Sequence, residues 1–192
     1  SLLIDAYVYG ARYENFLGRI AVLQSKIPGN PIGLLQENTR TAYSVAVNSS
    51  SIVKTRGWGA SLEYRMGKNF YVSGNVFGDK ITDAPDNFIT YFSTPKVRFN
   101  LGFGNLGLGA SKRLGFGVIY RWQDDIYYES DFIVGTVPSF GVLDAMVSYK
   151  LPKQKMLFKL GGTNITNKYY INGMGNPSIG ALYYISIGYN VF

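Results

Sequence analysis

The sequence predicts an all-β fold: an antiparallel wall of strands that crosses a membrane as part of a β-barrel. Three observations carry this prediction. Apolar residues alternate with polar or small ones in segment after segment, the charges within those segments fall on a single parity, and short connections alternate with long ones. Composition agrees, since the 192 residues include 16 Tyr, 12 Phe and 23 Gly, only 16% are charged, and Cys and His are absent. Such a mixture suits strands and tight turns. Mean hydropathy is close to zero and no run of about 18 apolar residues exists. That removes a transmembrane helix but not a transmembrane strand, whose alternate residues face water.

Along the chain, Leu2 to Tyr13 is rich in β-formers, although polarity does not separate its two faces. Trp58, Ala60, Leu62 and Tyr64 then alternate with Gly59, Ser61, Glu63 and Arg65. Phe70, Val72 and Val76 oppose Tyr71, Ser73 and Asn75, and Val97, Phe99, Leu101 and Phe103 oppose Arg98, Asn100 and Gly102. Leu114, Phe116, Val118, Tyr120 and Trp122 stand against Gly115, Gly117, Arg121 and Gln123, with Ile119 the large apolar exception. Leu143, Ala145, Val147 and Tyr149 face away from Asp144, Met146 and Ser148. Met156, Phe158 and Leu160 oppose Lys159 and Thr163; Tyr183, Ile185, Ile187, Tyr189 and Val191 oppose Tyr184, Ser186, Gly188 and Asn190. The last seven each show a period of two, and with Leu2 to Tyr13 they make eight strands.

Glu63, Arg65, Arg98, Arg121, Asp144 and Lys159 all sit opposite the apolar stripe. A lipid-facing Arg or Lys at the bilayer midplane costs about 2 to 4 kcal/mol, whereas a lumenal charge stays wet. A soluble β-sandwich also alternates, with one parity packed into its core, and it stands as the alternative reading of the same pattern. Trp58, Tyr64, Phe70, Tyr120, Trp122, Tyr149 and Tyr189 lie near strand ends on the apolar parity, where amphipathic rings anchor at headgroup level.

Met66 to Asn69, Asn105 to Arg113 and Pro152 to Lys155 are short connections, while Asp79 to Pro95, Asp125 to Pro138 and Ile165 to Gly180 are long. Outer-membrane barrels place short turns in the periplasm and long loops outside. The net charge is +7, but the basic residues form no single stripe, so a nucleic-acid surface is not predicted. Lys68, Lys112, Arg113, Lys153 and Lys155 gather at short turns, and seven of the 12 acidic residues lie in two long connections: Asp79, Asp83, Asp86, Asp124, Asp125, Glu129 and Asp131.

Lack of His and Cys removes Ser-His and Cys-His nucleophilic pairs, thiolate metal sites and disulfides, so no enzyme, cofactor or metal centre is predicted. Gly102 to Gly107 matches a dinucleotide fingerprint in form only, because more glycine and another strand follow where a helix must begin. The acidic groups lack the spacing of a calcium loop and read as solvated charges. The adjacent pairs Tyr127–Tyr128 and Tyr169–Tyr170 fall at outer strand ends, where they could stack on a ligand or simply anchor the rim.

An ordered series of motifs resembles the TonB-dependent outer-membrane receptors, most clearly from Thr55 to Phe192. Thr55-Arg56-Gly57-Trp58-Gly59-Ala60-Ser61-Leu62-Glu63 looks like a family strand in which Gly and Glu recur, and Ser93 to Leu101 looks like a Pro-Lys stretch re-entering the wall. Phe140 to Ala145 resembles the family's V-x-D-A strand. Leu160-Gly161-Gly162-Thr163-Asn164-Ile165-Thr166-Asn167-Lys168-Tyr169-Tyr170 resembles its N-L-x-N-x-x-Y segment, the most specific of the set. Gly180 to Phe192 looks like a closing strand with a terminal aromatic.

The resemblance implies a barrel of about 22 strands with an N-terminal plug, which moves scarce ligands such as iron chelates, cobalamin or glycans inward. Residues 1–192 would supply its C-terminal portion, about eight strands without plug or earlier wall, and the start at Ser1 reads the same way. Implied partners are outer-membrane lipid, the barrel-assembly machinery, an inner-membrane energy-coupling complex acting through other parts of the chain, and a small-molecule or glycan ligand. Tyr189 and Phe192 would form the assembly signal. Phe192, however, falls on the opposite parity from Tyr183 to Val191, so that role requires a bulge near Asn190. The structural rival is a self-contained barrel of eight strands, a number sufficient to close.

Overall fold

A computed structural model describes all residues except 68, 87, 131–132 and 191–192. The described residues form twelve strands: β1 (Leu2–Tyr13), β2 (Leu17–Ser25), β3 (Arg40–Asn48), β4 (Val53–Arg65), β5 (Phe70–Asp83), β6 (Arg98–Leu108), β7 (Leu114–Gln123), β8 (Ile126–Glu129), β9 (Val134–Val137), β10 (Phe140–Leu151), β11 (Met156–Thr163) and β12 (Leu182–Tyr189). Eight of them make one antiparallel sheet in the order β1-β4-β5-β6-β7-β10-β11-β12. These are the seven wall strands expected from alternation together with the one expected from its β-forming residues, Leu2–Tyr13. The sheet does not close on itself: β1 pairs with β4 alone and β12 with β11 alone, which is not the self-contained eight-stranded barrel of the rival reading.

Pairing register assembles the apolar stripes into one continuous face. Trp122 lies opposite Phe99 and Phe99 opposite Val76, while Tyr120 lies opposite Leu101 and Leu101 opposite Gly74. Register also resolves β1, because Val8 pairs with Trp58, Ile4 with Leu62 and Leu2 with Tyr64. Residues 2, 4, 6 and 8 therefore share the outward face, and Leu3, Asp5, Tyr7 and Tyr9 share the inner one. Side chains on the outward face stand bare, with Val8 84% and Ile185 77% exposed. A sheet with that surface is stable only in a solvent of hydrocarbon.

Aromatic side chains sort to the two ends of the outward face. Phe70 stacks on Phe103 at 5.8 Å and meets Phe116 edge-on at 6.5 Å near the short turns. At the other end Phe99 packs on Trp122 at 5.3 Å and Tyr120 at 6.0 Å. Two belts separated by the wall match the two membrane–water interfaces. The short turns close on residues with positive φ, namely Asn69 (65°), Lys112 (52°) and Lys155 (54°), as tight hairpins require.

Four strands were not expected. The hairpins β2–β3 and β8–β9 lie in the long connections after β1 and after β7, and each pairs only within itself. β5 also continues to Asp83, so Asp79 and Asp83 are strand residues rather than loop charges. Buried apolar side chains among the described residues are few: Val53, Ile126, Val137 and Val142, all at the outer end of the sheet under the long connections. The wall itself has no core of its own.

Asn190 takes φ 60° and its N–H donates to Lys155 O at 2.8 Å, so regular alternation ends where a bulge was required. Tyr189, opposite Met156, stands on the outward face with its side chain exposed. Phe192 lies outside the described residues.

Candidate functional site: inner wall and outer mouth

On the inner face, small residues leave room and large polar ones fill it from the neighbouring strand. Gly57 and Gly59 of β4 lie beneath the rings of Tyr9 and Tyr7, which would collide with any added Cβ. Tyr9 Oη donates to Asp79 Oδ1 at 2.8 Å, Arg98 Nη2 stands 3.5 Å from Asp79 Oδ2, and the Arg98 guanidinium rests 4.2 Å from the Phe77 ring centroid. Below them, Asn100 Nδ2 donates to Asn75 Oδ1 at 2.8 Å. The glycines of the apparent dinucleotide fingerprint serve the same packing: Gly104 lies under Tyr71 and Gly102 against Ser73.

A second polar unit joins β7, β10 and the connection after β11. Arg121 donates twice to Asp144, Nε to Oδ2 at 2.6 Å and Nη2 to Oδ1 at 3.1 Å. Asp144 Oδ1 also accepts the Asn164 N–H at 2.8 Å. Asn164 is buried with φ 50°; its Oδ1 accepts the Lys168 N–H at 3.1 Å and its Nδ2 donates to Lys168 O at 2.8 Å. Asn167, also at positive φ (52°), accepts the Ala181 N–H at 2.9 Å. An asparagine tolerates the left-handed conformation and offers both a donor and an acceptor, which explains that residue type at both positions. The V-x-D-A and N-L-x-N segments are thus two halves of one hydrogen-bonded unit.

At the mouth the long connections touch in series. Arg19 of β2 and Ile89 exchange backbone hydrogen bonds of 3.0 and 2.8 Å, and Glu129 N–H of β8 donates to Ser93 Oγ at 3.2 Å. Gly173 lies against the Tyr128 ring and Gly135 against Met174.

This arrangement divides the four tyrosines singled out from sequence. Tyr127, 62% exposed, borders a cavity of about 350 Å³ shared with Phe88, Phe92, Asp125, Glu129 and Lys96. Its neighbour Tyr128 turns toward Gly173 instead. Tyr169 and Tyr170 border a smaller cavity of about 230 Å³ with Phe140 and Lys168, and Tyr170 stacks on Phe140 at 4.0 Å. The four do not meet in one pocket. Phe88 and Phe92 escaped the sequence reading because they sit outside the alternating segments, and Phe140 was read only as the start of the V-x-D-A strand.

Among the described residues no three Asp or Glu side chains gather into a metal site, and the acidic groups nearest the inner wall are held by Arg or Tyr. No helix among the described residues is long and apolar enough to span a membrane.

Comparison with known proteins agrees with this geometry. Residues 1–167 match the family "TonB dependent receptor-like, beta-barrel". No curated protein sequence matches the chain. Among solved structures, the FrpB iron transporter from Neisseria meningitidis superposes with a TM-score of 0.70 at 14% identity, covering 98% of this chain and 28% of that one. Copper transporter OprC gives 0.70 at 13% identity over 98% and 28%. The siderophore receptor PirA from Acinetobacter baumannii gives 0.66 at 13% over 98% and 29%. This chain therefore spans under a third of the length of the structures it resembles. With an outward face built for lipid, a charged inner face and a family match over most of its length, the chain belongs to the TonB-dependent receptor β-barrels of the outer membrane.

Proposed function

We propose that this chain forms part of the wall and mouth of an energised uptake receptor that captures a scarce ligand outside the cell and passes it inward past a plug. The observation that carries the reading is the fixed polar inner face, where Tyr9–Asp79–Arg98 and Arg121–Asp144–Asn164 hold charge on one parity of the membrane wall. A self-packed small barrel needs no such wet surface; a wide lumen enclosing another domain does. Resemblance to an iron transporter, a copper transporter and a siderophore receptor favours a metal chelate over a cobalamin or glycan as ligand. Energy would enter through an inner-membrane complex acting on other parts of the receptor, and the barrel-assembly machinery would read the strand that contains Tyr189.

In this reading Tyr127 and Tyr169 are the ligand-facing residues of the mouth, and Tyr128 and Tyr170 hold the loops that carry them. The test is growth of a strain whose only outer-membrane iron receptor is the full-length protein, on a panel of ferric chelates with and without a protonophore. Protonophore-sensitive growth on one chelate, reduced about tenfold in apparent affinity by Tyr127→Ala, is expected, since stacking contributes about 1 to 1.5 kcal/mol. Growth on no chelate, with cobalamin and oligosaccharides also failing, overturns the uptake reading.

A further inference from the structure

The outward face is free of charge along the wall until the strands pass the outer aromatic belt, where Arg12, Lys54, Arg56 and Lys80 enter it; the first two each have a carboxylate partner, Glu14 and Asp83. Arg56 of β4 and Lys80 of β5 are directly opposite each other on the outward face, with Gly10 of β1 on the other side of Arg56. Like charges opposite one another across antiparallel strands repel. Among the described residues no ion pair relieves them, although Asp125 and Glu129 border, with Lys80 and Lys96, the cavity beside Tyr127. The ion pairs among the described residues are Arg12–Glu14, Lys54–Asp83, Arg65–Glu63, Arg98–Asp79 and Arg121–Asp144, and none includes Arg56, Lys80 or Lys96.

Lys96 comes to the same spot through Gly78. That glycine leaves the space in which the Lys96 carbonyl and the Trp58 indole sit, where an added Cβ would meet Trp58 Nε1 at 3.2 Å. Arg56, Lys80 and Lys96 are all exposed, and with Val8 and Trp58 they line a cavity of about 650 Å³. Asp79 also borders it, but its carboxylate is engaged by Tyr9 and Arg98. The cations lie immediately above the outer aromatic belt, on the side of the long connections, with the charge-free surface of Ala60, Leu62 and Ile4 below.

We propose that this cleft seats a phosphorylated glycolipid of the outer leaflet, with its phosphate on Arg56, Lys80 and Lys96 and an acyl chain along Val8 and Trp58. A soluble anion would neutralise the cations and leave the cleft bare; a neutral lipid would cover the cleft and leave the cations opposed. One molecule carrying both phosphate and acyl chains answers both needs. The proposal rests on the outer-membrane placement with long connections outward.

The test uses the full-length receptor in detergent and native mass spectrometry, with bisphosphorylated lipid A, dephosphorylated lipid A, phosphatidylglycerol and inorganic pyrophosphate as probes. Bisphosphorylated lipid A is expected to be retained at low micromolar concentration, with the other three retained at least tenfold less. Combining Arg56→Gln, Lys80→Gln and Lys96→Gln should lower that retention at least tenfold, with heat-modifiable gel mobility reporting that the barrel has formed. Equal retention by the triple variant overturns the proposal, as does equal binding of dephosphorylated lipid A or of phosphatidylglycerol, or full competition by pyrophosphate. If the triple variant fails to form a barrel, comparison of the four probes on the unmodified receptor decides alone. Retention is scored without any transported ligand, so its outcome is separate from that of uptake.

Discussion

The two faces of the eight-stranded sheet are made by the same strands, one residue out of step, and they are held by opposite means. The outward face carries apolar and aromatic side chains with almost no partners within the chain, and its neighbours are lipid tails. Contacts on the inner face are specific: a tyrosine over a glycine, a carboxylate between Tyr9 and Arg98, a second between Arg121 and Asn164. Stability on one face comes from the solvent and on the other from named pairs. Substitutions should therefore follow chemical class outside and individual partners inside.

Leu101→Arg against Asn100→Arg in the full-length receptor probes this difference most severely. The first places a charge on the lipid face and should cost about 2 to 4 kcal/mol, read as loss of heat-modifiable barrel. The second removes one hydrogen bond to Asn75, about 1 kcal/mol, and should assemble. Equal losses would erase the distinction between the faces. Next comes Asp144→Ala, which strips Arg121 of its carboxylate and Asn164 of its acceptor. With Arg121 partly open to solvent the cost should be about 1 to 3 kcal/mol, accompanied by faster proteolysis of residues 164–181. Asp144→Asn keeps an acceptor for the Asn164 N–H and should lose less.

A smaller effect sharpens the inner-face packing. Gly57→Ala should cost about 1 to 2 kcal/mol by crowding the Tyr9 ring and the Asp79 carboxylate, and pairing it with Tyr9→Ala should recover part of the loss. A double variant no better than the single would mean that the glycine serves something other than the ring. Smallest of all, Glu63→Ala breaks an exposed pair with Arg65 and should shift the unfolding midpoint in denaturant by less than the equivalent of about 1 kcal/mol.

How legible each region was in the sequence follows from the same contrast. Lipid demands alternation, so seven of the eight wall strands, β4, β5, β6, β7, β10, β11 and β12, were found with their parities where the wall meets hydrocarbon. Alternation is not demanded where the strands rise above the membrane. β5 reads as ending at Val76 because Asp79 and Lys80 follow, yet the strand runs on to Asp83 in water, where either face accepts charge. The hairpins β2–β3 and β8–β9 lie in that region: Tyr43, Val45 and Val47 alternate in β3 opposite Val22, Ile20 and Gly18, whereas β8 and β9 are four residues each, too short for a period to show. For β1 the information lay in pairing: Tyr7 and Tyr9 read as apolar, but opposite Gly59 and Gly57 they are inner-face residues. The mouth was legible as residue types and not as partners. Adjacent tyrosines on a strand point opposite ways, so Tyr127 and Tyr128 could never share a pocket, a consequence of the two-residue repeat.

Among all these contacts, the one between Asp144 Oδ1, the Arg121 guanidinium and the Asn164 N–H has the widest reach. A guanidinium facing the barrel interior and the first residue of a loop on the cell surface lean on the same oxygen atom. Neither can shift without loosening the other's hold, so the packing of the inner wall and the start of the connection after β11 depend on one atom.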